Sequence, residues 1–306
     1  MIHIQNLIDA FGQGAVFALI AVGIGLVFGV LRLINFAYGQ LIMVAAYCLA
    51  FPGNWPDAAN IALAVVAAVV LSLVMERLAF RPLRTADPST MLVATFAIAY
   101  FLQNGALLQY SYRNQGGLGD PIGTLAGLNN AVSVGSLHIR WVTFLAIGAG
   151  IVCFGGLALL LTRTSIGLQM RAASMDFRTA RLLGVKADTV IMAAVAISGV
   201  LAAVAAVVLS ISSTSVNPQT GFQETIFVLV GVVAGGIDRL GSAVLGAFAI
   251  GFAIDLVGAE LPSSGATPFT SNVYMPSVIY LAVIVALLLR PAGLFARRGQ
   301  RFVERV

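Results

Sequence analysis

Side chains able to do chemistry are sparse in this chain, and they fall in two places. The first is a set of uncharged polar groups inside apolar runs: Asn35, Tyr38 and Gln40 around a break near residue 35, then Gln103 and Asn104. Amides and a phenol can hydrogen-bond a passing solute or each other, but they supply no nucleophile or proton relay at neutral pH. An unpaired amide in hydrocarbon is costly, so these groups must face protein or a water-filled path. Helix–helix hydrogen bonding and a solute pathway both meet that requirement. The second place is 162–186, which carries five of the chain's seventeen basic residues together with Asp176. Ile166, Met170, Ala173, Phe177 and Ala180 alternate at spacings of four and three, the signature of one helix face. Asp176 suits the cap of a short second helix running to Leu183, and Gly184 suits the left-handed stop behind it. The spacing predicts two short helices hinged at Asp176, with the apolar stripe either laid against the rest of the protein or offered to a partner.

What is missing narrows the function further. Lys186 is the only lysine, and no G-x-x-x-x-G-K-[ST] loop exists, so this chain does not hydrolyse nucleotide through that motif. H-E-x-x-H and G-x-S-x-G are also absent, which disfavours an enzyme. Carboxylates within apolar runs are few. Glu76 sits beside Arg77 at one end of its run, while Glu224 and Asp255 lie near the ends of theirs, so the ion relay of a secondary carrier is missing. Cys48 and Cys153 lie in apolar segments without metal spacing and read as small buried hydrophobes.

The elements that must position these groups are set by composition. Of 306 residues, 59% are hydrophobic and 9% charged, where a soluble domain carries about 25% charged. A mean hydropathy of +0.98 fits a single all-α integral membrane domain over 1–306, a polytopic helix bundle. Apolar runs at 10–31, 36–52, 58–79, 90–110, 141–161, 189–211, 223–236, 241–258 and 274–289 give eight or nine segments, since 36–52 is either a crossing or a re-entrant piece. The first ten residues lack a basic region and a cleavage site, so no removable signal peptide is expected.

With strict alternation, fifteen basic residues share one side and only Arg113 and Arg140 the other. The positive-inside rule then predicts an outer N-terminus, a cytoplasmic loop at 162–188 and a cytoplasmic tail at 290–306. The outer loops fall at 111–140, 212–222 and 259–273. Basic residues in short clusters between apolar runs point to membrane topology and away from nucleic acid. Two Gly-interrupted stretches look alike, Gly25 to Gln40 and Val230 to Ser242. Such pairs mark internal repeats in transporters, although alternation would bring both in from the same side.

These stretches resemble the permease subunits of bacterial ABC importers for branched-chain amino acids (LivH-type). The resemblance is carried by Arg32-Leu33-Ile34-Asn35-Phe36-Ala37-Tyr38-Gly39-Gln40, Glu76-Arg77-Leu78-Ala79-Phe80-Arg81-Pro82-Leu83-Arg84 and Phe101-Leu102-Gln103-Asn104. It continues through Arg171-Ala172-Ala173, Leu182-Leu183-Gly184-Val185, Val216-Asn217-Pro218-Gln219-Thr220-Gly221-Phe222, Val233-Ala234-Gly235-Gly236-Ile237 and Arg290-Pro291-Ala292-Gly293-Leu294. It implies a bacterial inner-membrane subunit that works with a second permease (a related chain or a second copy), two cytoplasmic ATPases and an extracytoplasmic binding protein. ATP and Mg would be used by the partner ATPase, with no cofactor bound by this chain. The resemblance also makes 162–186 the ATPase-coupling segment, carried onto Arg171, Ala172, Ala173, Asp176, Arg178, Leu183 and Gly184. Asn217 joins Asn35, Tyr38, Gln40, Gln103 and Asn104 as a pathway candidate. The family's usual His-Gly-Glu is Tyr38-Gly39-Gln40 here, and relatives also carry urea, amides or small carboxylates. A stand-alone channel for a small neutral solute is the remaining alternative, and it leaves the amphipathic basic segment without a task.

Overall fold

Thirty residues without a proline, Ile2–Leu31, form α1, about 45 Å long at 1.5 Å per residue. After a break come α2 (Tyr38–Leu49) and α3 (Asp57–Met75), which runs on through a π-helical turn at Glu76–Phe80 into α4 (Arg81–Leu83). Then follow α5 (Pro88–Asn114), α6 (Trp141–Arg163), α7 (Ser165–Met175), α8 (Phe177–Leu182), α9 (Ala187–Ser212), α10 (Phe222–Gly235) and α11 (Leu240–Glu260). Among the described residues, four short strands lie in the connections. β1 (Asp120–Pro121) pairs antiparallel with β4 (Ser215–Val216), and β2 (Ala131–Val134) forms a hairpin with β3 (Leu137–Arg140). The computed structural model describes residues 2–32, 34–50, 55–84, 86–114, 120–121, 131–134, 137–213, 215–236, 239–260 and helical positions between 277 and 288. The expected outer loops at 111–140 and 259–273 fall partly, and the tail at 290–306 wholly, outside the described residues.

Among the described residues, six helices are long and apolar enough to cross a membrane: α1, α3 with its extension, α5, α6, α9 and α11. The chain is an all-α, multi-pass membrane protein. α2 and α10 have 12 and 14 residues and cannot bridge a core of roughly 30 Å. Of the nine apolar runs, two are therefore half-helices. The ninth run is helical where it is described, and its Tyr280 stacks on Phe227 of α10 at 5.3 Å. Cys48 and Cys153 are free and only partly buried, because both sit at the rim of the packed core.

The half-helices reveal an internal repeat of opposite direction. α11 runs antiparallel to α1, with Leu240 beside Gly25, Phe248 beside Gly14 and Gly251 against Phe17. α10 runs antiparallel to α11, where Gly231 and Gly235 press on Gly246, the close approach that small residues permit. α10 is thus parallel to α1. α2 and α10 in turn overlap by their first turns in antiparallel fashion, Gly39 against Thr225 and Ile42 against Gly221. The packing partners follow the same exchange: α1 lies on α11 as α9 lies on α3, and α2 lies on α9 as α10 lies on α1. The sequence-based pairing of the two Gly-interrupted stretches is therefore corrected. The counterpart of the break at 32–37 is 213–221, which leads into α10, and not 236–239, which leaves it. Each connection precedes a half-helix, so two half-helices start where one straight helix would pass.

Candidate functional site

The junction of the half-helices is built by two asparagines and two glycines. The Asn35 carboxamide accepts the Ala37 N–H at 3.0 Å, and the Asn217 carboxamide accepts the Gln219 N–H at 3.2 Å. Each is an Asx turn that bends the chain before its helix starts. Four residues after each asparagine comes a glycine, Gly39 or Gly221. A Cβ on Gly39 would lie 2.6 Å from the Gly221 carbonyl oxygen, and one on Gly221 would lie 2.7 Å from that of Gly39. Gly221 also adopts φ +84°, open to glycine without strain. The repeated Asn-x-x-x-Gly was the sequence signal for this junction, and the reading of Gly-rich helix breaks passed over it.

Polar groups at the junction are held out of water. Tyr38 and Gln40 are fully buried, with Asn35 nearly so. The Tyr38 hydroxyl lies against Gly23 of α1, and neither it nor the Gln40 amide has a hydrogen-bond partner among the described residues. Glu224 accepts the Gly221 N–H at 2.9 Å, which places a carboxylate on the α10 N-terminus, where the helix dipole favours it. Thr95 of α5 accepts the Phe36 N–H at 3.4 Å. An aromatic row runs across the outside of the junction: Phe36–Phe96 at 5.8 Å, Phe96–Tyr100 at 5.0 Å and Tyr100–Phe222 at 6.3 Å. The structure thus brings Asn35, Tyr38, Gln40 and the Asn217 turn to one locus. Gln103 and Asn104 lie farther along α5, and the Asn104 amide donates to its own helix at the Tyr100 carbonyl, 2.8 Å away.

The basic segment folds as two short helices about Asp176. Thr164 caps α7 by accepting the Gly167 N–H at 3.0 Å, and a Cβ on Gly167 would overlap the Leu160 carbonyl, so α7 folds tightly under α6. Asp176 accepts from the Thr179 N–H at 3.2 Å and from its hydroxyl, capping α8. Gly184, at φ +88°, ends α8 with the Val185 N–H donating back to Ala180, a Schellman stop. The apolar stripe faces inward: Met170, Ala173 and Ala180 are buried, although Ile166 is exposed. The side chains of Phe177 and Arg178 lie outside the described residues. Outward instead point Met175, Leu182 and Leu183, exposed by 89%, 84% and 80%, beside the exposed Arg171 and Arg181.

Two links tie this segment to the bundle. Arg32, in the left-handed region at φ 53°, donates from Nη2 to the Ser174 carbonyl at 2.8 Å, so the break after α1 holds the end of α7. A cavity of about 160 Å³ lies between them, lined by Gly25, Gly29, Met170 and Arg171. On the other flank Arg84 pairs with the buried Glu76 and with Asp188 at 2.5 Å, while Arg81 meets Asp188 at 3.1 Å. This cluster clamps the end of α3 to the start of α9, just behind α8.

Comparison with known proteins puts a family on this architecture. The model of the branched-chain amino acid transport system permease component matches residues 6–288. The chain belongs to this family. The permease is 29% identical to BraD, a high-affinity branched-chain amino acid transport system permease protein of Pseudomonas aeruginosa, over 96% of each chain. It is 28% identical to LivH of Escherichia coli, again over 96% of each, and 28% identical to a probable LivH of Methanocaldococcus jannaschii over 90% of this chain and 87% of that one. These relatives are transport subunits, so the permease is no enzyme. The described residues hold no group of three or more His, Cys, Asp or Glu side chains able to hold a metal.

Proposed function

We propose that this permease is the membrane-spanning subunit of an ATP-driven importer in the bacterial inner membrane, with its N-terminus outside and its C-terminus in the cytoplasm. It passes a small amino acid-like solute, a branched-chain amino acid above all, along the junction where α2 and α10 begin. A second permease, related or identical, covers the exposed face of α5 that carries Phe96, Tyr100 and Phe101. An extracytoplasmic binding protein delivers the solute, and two cytoplasmic ATPases, using ATP and Mg, dock on α7 and α8. This chain itself binds no cofactor.

The observation that carries this reading is the surface of α8 and its flanks. Met175, Leu182 and Leu183 stay almost fully exposed on a segment capped at both ends, and such apolar exposure marks a protein contact. Arg171 and Arg181 flank that surface, and Arg32 passes its displacement to the break that starts α2. Replacing Leu182 and Leu183 together by serine is expected to reduce co-purification of the ATPase and abolish ATP-dependent uptake of leucine in proteoliposomes. Variants that assemble and transport like the parent would remove this segment from the coupling role.

A further inference from the structure

A second polar locus lies at the end of the bundle away from the basic segment and leads to the junction. A cavity of about 510 Å³ opens between α1, α6, α9 and α11. Asp9 and Asp255 line it, with Asp255 in electrostatic reach of both Asp9 and Arg140. Arg140, the last residue of β3, is exposed at the mouth of this cavity. Thr143 is buried and lines the cavity. Val16, Val142, Ala146 and Ile254 supply its apolar lining. A second cavity, of about 430 Å³, shares Arg140 and Ser212 with the first and reaches Asn217, Thr220 and Glu224. The two spaces adjoin at Arg140 and Ser212, a vestibule that reaches the turn before α10.

The charges in it are two carboxylates on one side, one guanidinium between them and the Asn217 turn, and Glu224 at the far end, where it already caps α10. A metal cation is disfavoured by the arginine, and a plain anion by the carboxylates. A small molecule bearing both charges and an apolar body matches each wall. We propose that the vestibule is a holding site for a zwitterionic α-amino acid, its ammonium toward Asp9 and Asp255, its carboxylate on Arg140 and its aliphatic side chain against Val16 and Ile254. The site rests on the importer reading above. It adds a stage before the junction, at which the permease itself checks both charged ends of the solute.

The test is equilibrium binding of radiolabelled leucine to the assembled complex in nanodiscs, without binding protein or ATP. Leucinamide, which lacks the carboxylate, and 4-methylpentanoate, which lacks the ammonium, serve as competitors. Leucine is expected to compete about ten-fold better than either. Arg140→Gln is expected to weaken leucine about ten-fold while leaving leucinamide unchanged, and Asp255→Asn to weaken leucine while leaving 4-methylpentanoate unchanged. Arg140→Lys, which keeps the charge, should retain part of the leucine affinity and guards against a variant that merely misfolds. Equal competition by all three probes, or variants that bind leucine like the parent, would overturn the site. Uptake with ATP and binding protein is measured in parallel. A parent complex that does not import leucine counts against the importer reading, whereas import unaffected by Arg140→Gln counts against the vestibule alone.

Discussion

Arg84 serves two carboxylates at once, and they differ in what they can tolerate. Asp188 is half exposed and can return to water, whereas Glu76 is 2% exposed and has no such refuge. Truncating Arg84 to alanine leaves a buried carboxylate without its counter-charge, a loss of about 3 kcal/mol, at the lower edge of the range for broken buried pairs because Arg84 is itself partly solvated. The thermal midpoint of the purified complex is expected to fall, and adding Glu76→Gln to the same chain should recover most of the loss. Equal midpoints for the single and double variants would show that the pair is not the cause. Residue-scale features were legible in the sequence where they act over a few positions. Asp176 as a cap and Gly184 as a left-handed stop depend only on near neighbours. The clamp was less so: Glu76 stands beside Arg77 in the sequence, but the π-helical turn brings Arg84 to it instead.

Among the elements, the pair of half-helices and the pair α7 and α8 meet at Arg32. Its guanidinium satisfies a carbonyl at the end of α7 from a residue that lies just before the connection leading to α2. A shift of α7 therefore pulls on the start of α2 without crossing the packed core. Arg32→Met should leave the ATPase bound, since the exposed leucines are untouched, but lower the stimulation of ATP hydrolysis by loaded binding protein several-fold. Unchanged stimulation would mean that movement travels by another route, such as the clamp on α9. The existence and type of these helices were plain from hydrophobic runs and caps. Their pairing was not. A 12-residue apolar run reads the same whether it crosses or turns back, and only the antiparallel contact of Gly39 with Gly221 shows which breaks correspond. The direction of the apolar stripe was likewise open, because period alone does not say which neighbour a helix will meet.

For the whole molecule, one end gathers Arg32, Arg81, Arg84, Arg171 and Arg181, while the other holds the vestibule with Asp9 and Asp255. That polarity yields a topology experiment. In a chain with Cys48 and Cys153 replaced by serine, a cysteine at Leu182 is expected to react with an impermeant maleimide only in inverted vesicles, and one at Ser213 only in intact cells. The opposite pattern would reverse the proposed orientation. The meeting of Gly39 and Gly221 also bears on how such a chain is made. α2 is released from the ribosome early, yet the surface that shields its first turn arrives only with α10, more than half the chain later. Until then a half-length helix and the non-helical connection before it rest in lipid with backbone groups that lipid cannot satisfy. The early segments must therefore wait in a provisional arrangement, sheltered by the insertion machinery or by α3, and the core closes in a single late step. Biogenesis of this permease is thus governed less by the insertion of each helix than by the time the first half spends waiting for the second.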